Sequence, residues 1–306
     1  MTTPGETVPG SATPGATPPG VMSVRVLLDE AMRRLRAHLR RLYLPFAAVF
    51  VALGGVMVVA QVKAVEGMAR GDLVSCSVGF AALYAVIAVM ALPYAAMQVA
   101  ALDAVAGRPV SIGRAWRFIF RWRVLLTLVA TGVMVLGAYA CCFLPALYVW
   151  PLLALTLPVM VEEGRFGTDA IGRGARLVGA NPLETFPRNP LVRLLVFMVV
   201  TMAISFLGSL LVQVPFEIAR QIVFLRQAAA EEALSAMTSP GAVALQTAGV
   251  VLGSLVSTVV GLYAVFGIAL LYHDTRNRRE GADLEAAAAA LAALRPPAPA
   301  GGEAGG

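Results

Sequence analysis

The chain has 306 residues, of which 58% are apolar and 14% are charged, and its mean hydropathy is +0.77. A soluble domain carries about 25% charged residues, so this composition excludes an ordinary soluble protein and predicts that lipid surrounds most of the chain. The net charge of +6 comes from basic residues that are all Arg except one Lys. Anionic lipid headgroups attract such charges beside apolar runs. We therefore expect membrane lipids as partners and expect no nucleic acid.

Composition also limits metal and redox chemistry. The three Cys residues, Cys76, Cys141 and Cys142, fit neither a disulfide scaffold nor a zinc site. The two His residues, His38 and His273, are too few and too far apart for a His-based metal site. The sequence therefore predicts no cofactor and no metal. A disulfide between Cys76 and either of the other two stays open, although free buried thiols are commoner.

Three regions follow one another along the chain. Residues 1–22 are rich in Thr, Pro, Gly and Ala and predict a disordered tail. Residues 286–306 form a low-complexity tail that can be helical at its start. Between them, residues 23–285 predict an all-α polytopic bundle. A helix needs about 20 apolar residues to cross the hydrocarbon core, and this predicts six spans near residues 43–62, 74–101, 124–143, 146–161, 191–214 and 242–272.

The third and fourth spans come from one apolar run, residues 124–161, which holds 38 residues without a charge. A straight helix of that length would measure about 57 Å, nearly twice the hydrocarbon core. The run must therefore break, and residues 141–145 are the expected turn. Pro151 and Pro158 predict a kink in the fourth span.

The distribution of Arg predicts the topology. Of the 24 basic residues, 20 lie in four stretches, at 25–41, 108–123, 165–193 and 276–295. Short cytoplasmic loops keep Lys and Arg, and a hairpin within residues 124–161 brings all four stretches to one side. Both termini are then expected in the cytoplasm. One Lys against 23 Arg is typical of a GC-rich bacterial genome, so we expect the bacterial cytoplasmic membrane.

An amphipathic interfacial helix is predicted before each odd-numbered span. In the first, which begins near Val24, Asp29/Arg33 and Glu30/Arg34 are i,i+4 pairs. The first of these helices carries its apolar residues at helical spacing, and it is expected to lie apart from the span that follows it.

The second and third interfacial helices carry capping residues and Arg. Ser111 and Thr168 can cap them, Trp122 suits the headgroup level, and Gly179 can end the third. The Arg residues of these two helices are Arg114, Arg117, Arg121, Arg173 and Arg176. They are topology determinants, contacts for anionic lipid headgroups, or both at once. A further amphipathic helix is predicted on the outer face over residues 216–237.

Polar residues gather in the sequence where the fourth and sixth spans end. The set comprises Glu162, Glu163, His273, Asp274, Arg276, Arg279 and Glu280. Two interpretations stay open: ion pairs that fix helix ends at the headgroup boundary, or a polar cytoplasmic site. A carboxylate pair with one His could do acid–base work, but the sequence supplies neither a nucleophile nor a metal set. We therefore assign no catalytic residue.

Small residues recur every four positions along the sixth span, at Gly249, Gly253, Ser257 and Gly261. This spacing lets two helices approach closely. It indicates packing within the bundle or, as the sharper interpretation, a homodimer.

Two short stretches carry a resemblance to a known family. One is the ending from Tyr272-His273-Asp274 to Arg279-Glu280-Gly281 and Asp283-Leu284, and the other is Pro158-Val159 to Glu162, followed by Arg173. Both are similar to the membrane domain fused to some glycerophosphoryl diester phosphodiesterases and to its stand-alone relatives of unknown function. The resemblance implies a helical inner-membrane protein with about six spans. It does not carry over phosphodiesterase activity, because the catalytic barrel is absent.

Three functions follow, in decreasing order of preference. The first is a non-enzymatic membrane scaffold or accessory protein with an unknown membrane protein partner, because no catalytic constellation and no acidic residue lies within a span. The second is a permease for a hydrophobic or lipid-like substrate, which predicts a cavity lined by Gln98 or Gln246. The third is a lipid-modifying enzyme, which requires Glu163 and His273 to share one site.

Overall fold

The computed structural model describes residues 24–141, 143–179, 189–228 and 239–294. Their fold is all-α, as predicted, with nine helices and no strand among them. The helices are α1 (Val24–Arg70), α2 (Leu73–Val105), α3 (Ile112–Ile119), α4 (Trp122–Cys141), α5 (Phe143–Ala154), α6 (Thr156–Glu163), α7 (Thr168–Val178), α8 (Pro190–Ala228) and α9 (Pro240–Leu294).

The first predicted interfacial helix and the first predicted span form one continuous helix, α1, so the expected separation between them is wrong. One buried face runs along α1 from its charged N-terminal part into its apolar part. It includes Leu27, Leu35, Leu42, Phe46 and Phe50. Pro45 lies inside α1 without ending it, because its φ is already helical and it removes a single backbone donor. Near the start of α1, Arg33 and Arg34 both pair with Glu30, whereas Asp29 was the expected partner of Arg33.

A tight hairpin joins α1 to α2. Gly71 adopts a φ of +69° at the turn, where a residue without Cβ avoids strain. Asp72 caps α2 by accepting backbone N–H groups. A Cβ on Gly79 would lie 2.7 Å from Cα of Ala64, so the two helices meet backbone against backbone.

The apolar run over residues 124–161 breaks, as its length requires. α4 is described to Cys141 and α5 from Phe143, and residue 142, within the predicted turn at residues 141–145, lies outside the described part of the chain. A break at Leu155 separates α5 from α6. The fourth predicted span is therefore two short helices, with Pro151 in one and Pro158 in the other, in place of one kinked helix.

The other two predicted interfacial helices, α3 and α7, are separate elements. Ser111 caps α3 as expected by accepting a backbone N–H. Thr168 does not cap α7, because it is the first residue of the helix and Gly167 holds the capping position. The N–H of Gly167 donates to Oγ1 of Thr127 at 2.8 Å. Gly179 follows the last residue of α7, where the end of this helix was predicted.

The last two helices exceed the predicted spans. α8 continues through Pro215 to Ala228, so the predicted outer helix over residues 216–237 is not a separate element as far as the structure describes it. α9 contains the last predicted span and also the start of the predicted tail at 286–306.

Within the described residues, four helices are long and apolar enough to cross a membrane, namely α1, α2, α8 and α9. The count reaches five if α3 and α4, which bend by 71° at the break after Ile119, are taken as one span. α5 and α6 have 12 and 8 residues and fall short of that length. These helices indicate a membrane protein, and a total of six spans stays a prediction.

The buried core joins α1, α2 and α9 and is closed at one end by α3, α6 and α7. α8 packs against α9 beside it. A Cβ on Gly267 of α9 would overlap the ring of Phe197 of α8. This contact brings α8 close to α9 on the side where a large cleft lies.

Candidate functional site

The polar residues predicted at the ends of the fourth and sixth spans come together at one end of the bundle. They meet side chains from the α2–α3 connection, α7 and α8. We call this set the charged end, and it comprises Asp103, Arg108, Glu162, Glu163, Arg173, Arg193, Tyr272, Asp274, Arg276 and Glu280.

Arg108 links two carboxylates at the charged end. Its Nη1 donates to Glu162 at 3.0 Å, its Nη2 donates to the other oxygen of Glu162, and its Nε donates to Asp103 at 2.8 Å. Arg114 adds an ion pair to Asp103 at 3.2 Å. Burial disfavours ionisation of Glu162, but the hydrogen bonds from Arg108 outweigh it and hold the pKa of Glu162 below its ordinary value. Glu162 is therefore a fixed anion that holds α6 to the α2–α3 connection.

Glu163 is also held by hydrogen bonds from other helices. It accepts two contacts from Arg173 Nε, at 3.0 and 3.1 Å, and one from the hydroxyl of Tyr272 at 3.2 Å. Arg173 also donates to Glu280 at 2.7 Å, and Arg276 donates to the other oxygen of Glu280 at 2.8 Å. The chain of contacts ties α6 and α7 to α9.

A third connection joins α9 to its neighbours. Asp274 accepts from Nη1 of Arg193 at 2.7 Å and pairs with Arg278 at 2.9 Å. Arg279 donates to the carbonyl of Gly179 at 2.6 Å and to that of Arg176, so it caps the C-terminal end of α7. Each of these contacts stabilises the end of a helix.

No hydrogen bond joins Glu163 to His273 in the described part of the chain, and Nε2 of His273 is buried without a hydrogen-bond partner. No group of three or more potential metal ligands occurs among the described residues. The arrangement of the charged end agrees with ion pairs that fix helix ends.

The Arg side chains proposed to contact lipid headgroups divide into two groups. Arg114, Arg117 and Arg121 line a cleft of about 490 Å³ between α2, α3 and the α6–α7 turn, which we call the Arg cleft. Arg117 donates to a carbonyl of its own helix and Arg121 lies over the ring of Phe118, and neither forms an ion pair with a described carboxylate. Arg173 and Arg176 lie outside this cleft, Arg173 being held by Glu163 and Glu280, and Arg176 donating to the carbonyl of Gly172.

The small residues of α9 are covered by helices of the same chain. A Cβ on Gly249 would lie 3.2 Å from Phe216, and one on Gly253 would lie 3.4 Å from Gln213. The hydroxyl of Ser257 contacts that of Tyr94 at 3.1 Å, and Gly261 faces the same ring. These contacts favour packing within the bundle over a homodimer. The described cysteines, Cys76 and Cys141, are free.

A second, larger cleft lies within the membrane-spanning part of the bundle. It measures about 820 Å³ and is bounded by α2, α4, α5, α6, α8 and α9. We call it the apolar cleft, because aliphatic and aromatic side chains form most of its wall; Leu128, Val135, Trp150, Met198, Val260 and Ile268 are examples. Gln98, which the permease hypothesis placed in such a cavity, lies in its wall. Gln246 does not line the apolar cleft; it hydrogen-bonds Gln61 in the wall of another cleft, of about 530 Å³.

Sequence reasoning did not identify Asp103, Arg108 and Arg193 as parts of the charged end. Arg193 is 2% exposed, and its position within the apolar run Leu191-Val192-Arg193-Leu194 was a usable signal. An ionisable residue in such a run generally needs a buried partner. Asp103 is fully buried, yet its sequence neighbourhood gives no indication of the Arg that approaches it.

Comparison with known proteins gives no family. No family model matches the chain, and neither a curated protein nor a solved structure is significantly similar to it.

Proposed function

We propose that this chain is a multi-pass protein of the bacterial cytoplasmic membrane that binds a hydrophobic or lipid-like molecule in the apolar cleft, as a permease or carrier does. The observation that carries the proposal is the cleft itself, about 820 Å³ of mainly apolar space among the long apolar helices. Ligand sites in proteins measure about 300–1,000 Å³ and are lined mainly by apolar side chains with a few polar groups.

The position of the break between α5 and α6 supports a carrier. Leu153, Ala154, Thr156 and Leu157 line the cleft on both sides of Leu155, where the helix is interrupted. A wall made of two short helices can change its angle with fewer broken backbone hydrogen bonds than a continuous helix, because the interruption has already removed them. Residues around a break of this kind are common hinge positions in gated proteins.

The charged end supports the orientation proposed from the Arg distribution. Buried and partly buried ion pairs there fix α2, α6, α7 and α9 to one another, and the Arg cleft in the same region carries Arg117 and Arg121, which form no ion pair with a described carboxylate. Anionic headgroups of the cytoplasmic leaflet suit such groups. We propose that this end faces the cytoplasm, that both termini lie there, and that the layout is similar to the phosphodiesterase-associated membrane domain.

A cavity-filling variant tests the proposal. Ser205 lines the apolar cleft on α8, whereas Ala203 on the same helix is exposed and outside it. The proteins are purified in native membrane discs and their retained lipids are measured by mass spectrometry. Ser205→Phe should lose a specific hydrophobic molecule that the wild type and Ala203→Phe retain. Identical lipid profiles in all three proteins would contradict a ligand in the cleft. A scaffold or accessory role, and the weaker enzyme role, remain predictions that this cleft does not favour.

A further inference from the structure

We infer that the apolar cleft selects a neutral amphiphile, a long apolar chain ending in a hydroxyl or carbonyl group, and that Gln98 and Thr156 bind this polar end. The inference rests on the proposed function and names its ligand class. It follows from the polar groups in the cleft wall and from the absence of charge there.

Two polar atoms in the wall are buried without a hydrogen-bond partner. They are Nε2 of Gln98 on α2 and Oγ1 of Thr156 on α6, and α2 packs against α6. Thr156 is 2% exposed. Leaving such a group unpaired costs free energy, so buried polar atoms in proteins nearly always have partners. A ligand atom that pairs with them would remove this cost.

Four other hydroxyls in the same wall already have partners. Those of Thr131 and Thr201 donate to carbonyls of their own helices at 2.8 and 2.9 Å. Those of Tyr94 and Ser257 contact each other at 3.1 Å. Ser205 and Ser209 also line the wall, but their hydroxyls are not among the buried atoms without a partner. Gln98 and Thr156 are therefore the groups in the wall whose buried polar atoms need an external partner.

The wall also restricts the charge of the ligand. None of the described residues that line the apolar cleft is Asp, Glu, Lys, Arg or His. An ion placed there would lose its hydration without gaining a counter-charge, which costs far more than burying a hydroxyl. An amide N–H donates to a hydroxyl or carbonyl oxygen, and a Thr hydroxyl can donate or accept. The ligand class is therefore a neutral amphiphile, while the Arg cleft is the separate place for an anionic headgroup.

Trp150 lines the cleft and can report occupancy. The test uses a protein with Trp116→Phe and Trp122→Phe, so that Trp150 is the sole Trp, in discs of defined phospholipid. Three probes of equal chain length are added, namely dibrominated octadecanol, octadecane and octadecanoate, whose bromine atoms quench nearby Trp. A companion protein that retains only Trp122, which is 71% exposed and does not line the cleft, measures quenching by probe in bulk lipid.

The alcohol should quench Trp150 at a mole fraction about fivefold lower than the alkane, as expected for one net hydrogen bond, and the carboxylate should be the weakest. Gln98→Leu with Thr156→Val should remove the advantage of the alcohol and keep quenching by the alkane, which also shows that the variant is folded. An unchanged advantage in that variant, or carboxylate binding as strong as that of the alcohol, would overturn the inference but leave an apolar ligand site. Quenching of Trp150 no stronger than that of Trp122 for all probes would reject both the inference and the proposed function.

Discussion

Arg193 and Asp274 form a buried ion pair between α8 and α9, with 2.7 Å between Nη1 and Oδ2. The two residues are 2% and 8% exposed. Removing one member of such a pair leaves an uncompensated charge, whereas replacing both by apolar side chains often costs little. The pair therefore holds α8 against α9 at the edge of the apolar cleft.

Asp274→Ala should destabilise the protein by about 3–5 kcal/mol, because both Arg193 and Arg278 would lose their carboxylate. Arg193→Met combined with Asp274→Leu should lose clearly less. Denaturant titration in detergent micelles measures both. Glu217→Ala, which breaks an exposed pair with Arg220, is the control and should change stability by less than about 1 kcal/mol. A loss in the double variant as large as that of Asp274→Ala, or larger, would contradict an uncompensated charge as the source of the loss.

Gly267→Ala should destabilise the bundle, because the new methyl group would overlap the ring of Phe197. Overpacking of this kind costs about 1–3 kcal/mol. A second change, Phe197→Leu, should recover part of the loss by making room. Gly55→Ala is the matched control: nothing lies within 4 Å of its Cβ position, and a helical Ala is favoured over Gly by about 0.8–1 kcal/mol. A neutral Gly267→Ala in thermal unfolding would contradict the close approach of α8 and α9.

Glu162 should make stability depend on pH in the acidic range. Its folded pKa lies below the ordinary value of 4.5, so the stabilisation by Arg108 is fully present above the unfolded pKa and is lost as the pH falls through the folded one. Between about pH 7 and pH 3, the melting temperature of the wild type should fall more than that of Glu162→Gln. Glu217→Gln, at an exposed position, should keep the wild-type profile. Parallel profiles for wild type and Glu162→Gln would refute the assignment.

The Arg cleft predicts a preference for anionic phospholipid. Arg117→Ala with Arg121→Ala should lower the retention of phosphatidylglycerol in native mass spectrometry about thirtyfold, since each of the two basic groups near a headgroup contributes about 1 kcal/mol. Arg176→Ala is the control, because Arg176 is exposed and outside the cleft. Equal loss in the control would mean that general surface charge, and not the cleft, attracts the lipid.

The predictions from sequence were correct where helix length or local backbone chemistry decides the structure. Length and apolarity predicted the break within residues 124–161, and the capping role of Ser111 and the end of α7 at Gly179 follow from local backbone chemistry. The prediction was wrong where a helix continues past the boundary expected from the sequence. Neither Pro45 nor Pro215 ends its helix, because packing along the remaining face outweighs one lost backbone hydrogen bond.

The candidate site was predicted in part for the same reason. The polar cluster at the ends of α6 and α9 was visible as charge next to apolar runs. Its partners were not, since the approach of Arg108 to Glu162 joins residues 54 positions apart and depends on how α2 packs against α6. The apolar cleft could be anticipated only as a cavity near Gln98, because the shape of a wall depends on several helices at once.

The unbroken course of α9 has a mechanical consequence. Its 55 residues correspond to roughly 80 Å of helix, well over the thickness of the hydrocarbon core. The same rod carries Gly261 and Ile268 in the wall of the apolar cleft and Asp274 in the charged end. Because α9 is unbroken, the wall of the apolar cleft and the charged end lie on one helix, and a displacement at one of these places is expected to shift the other.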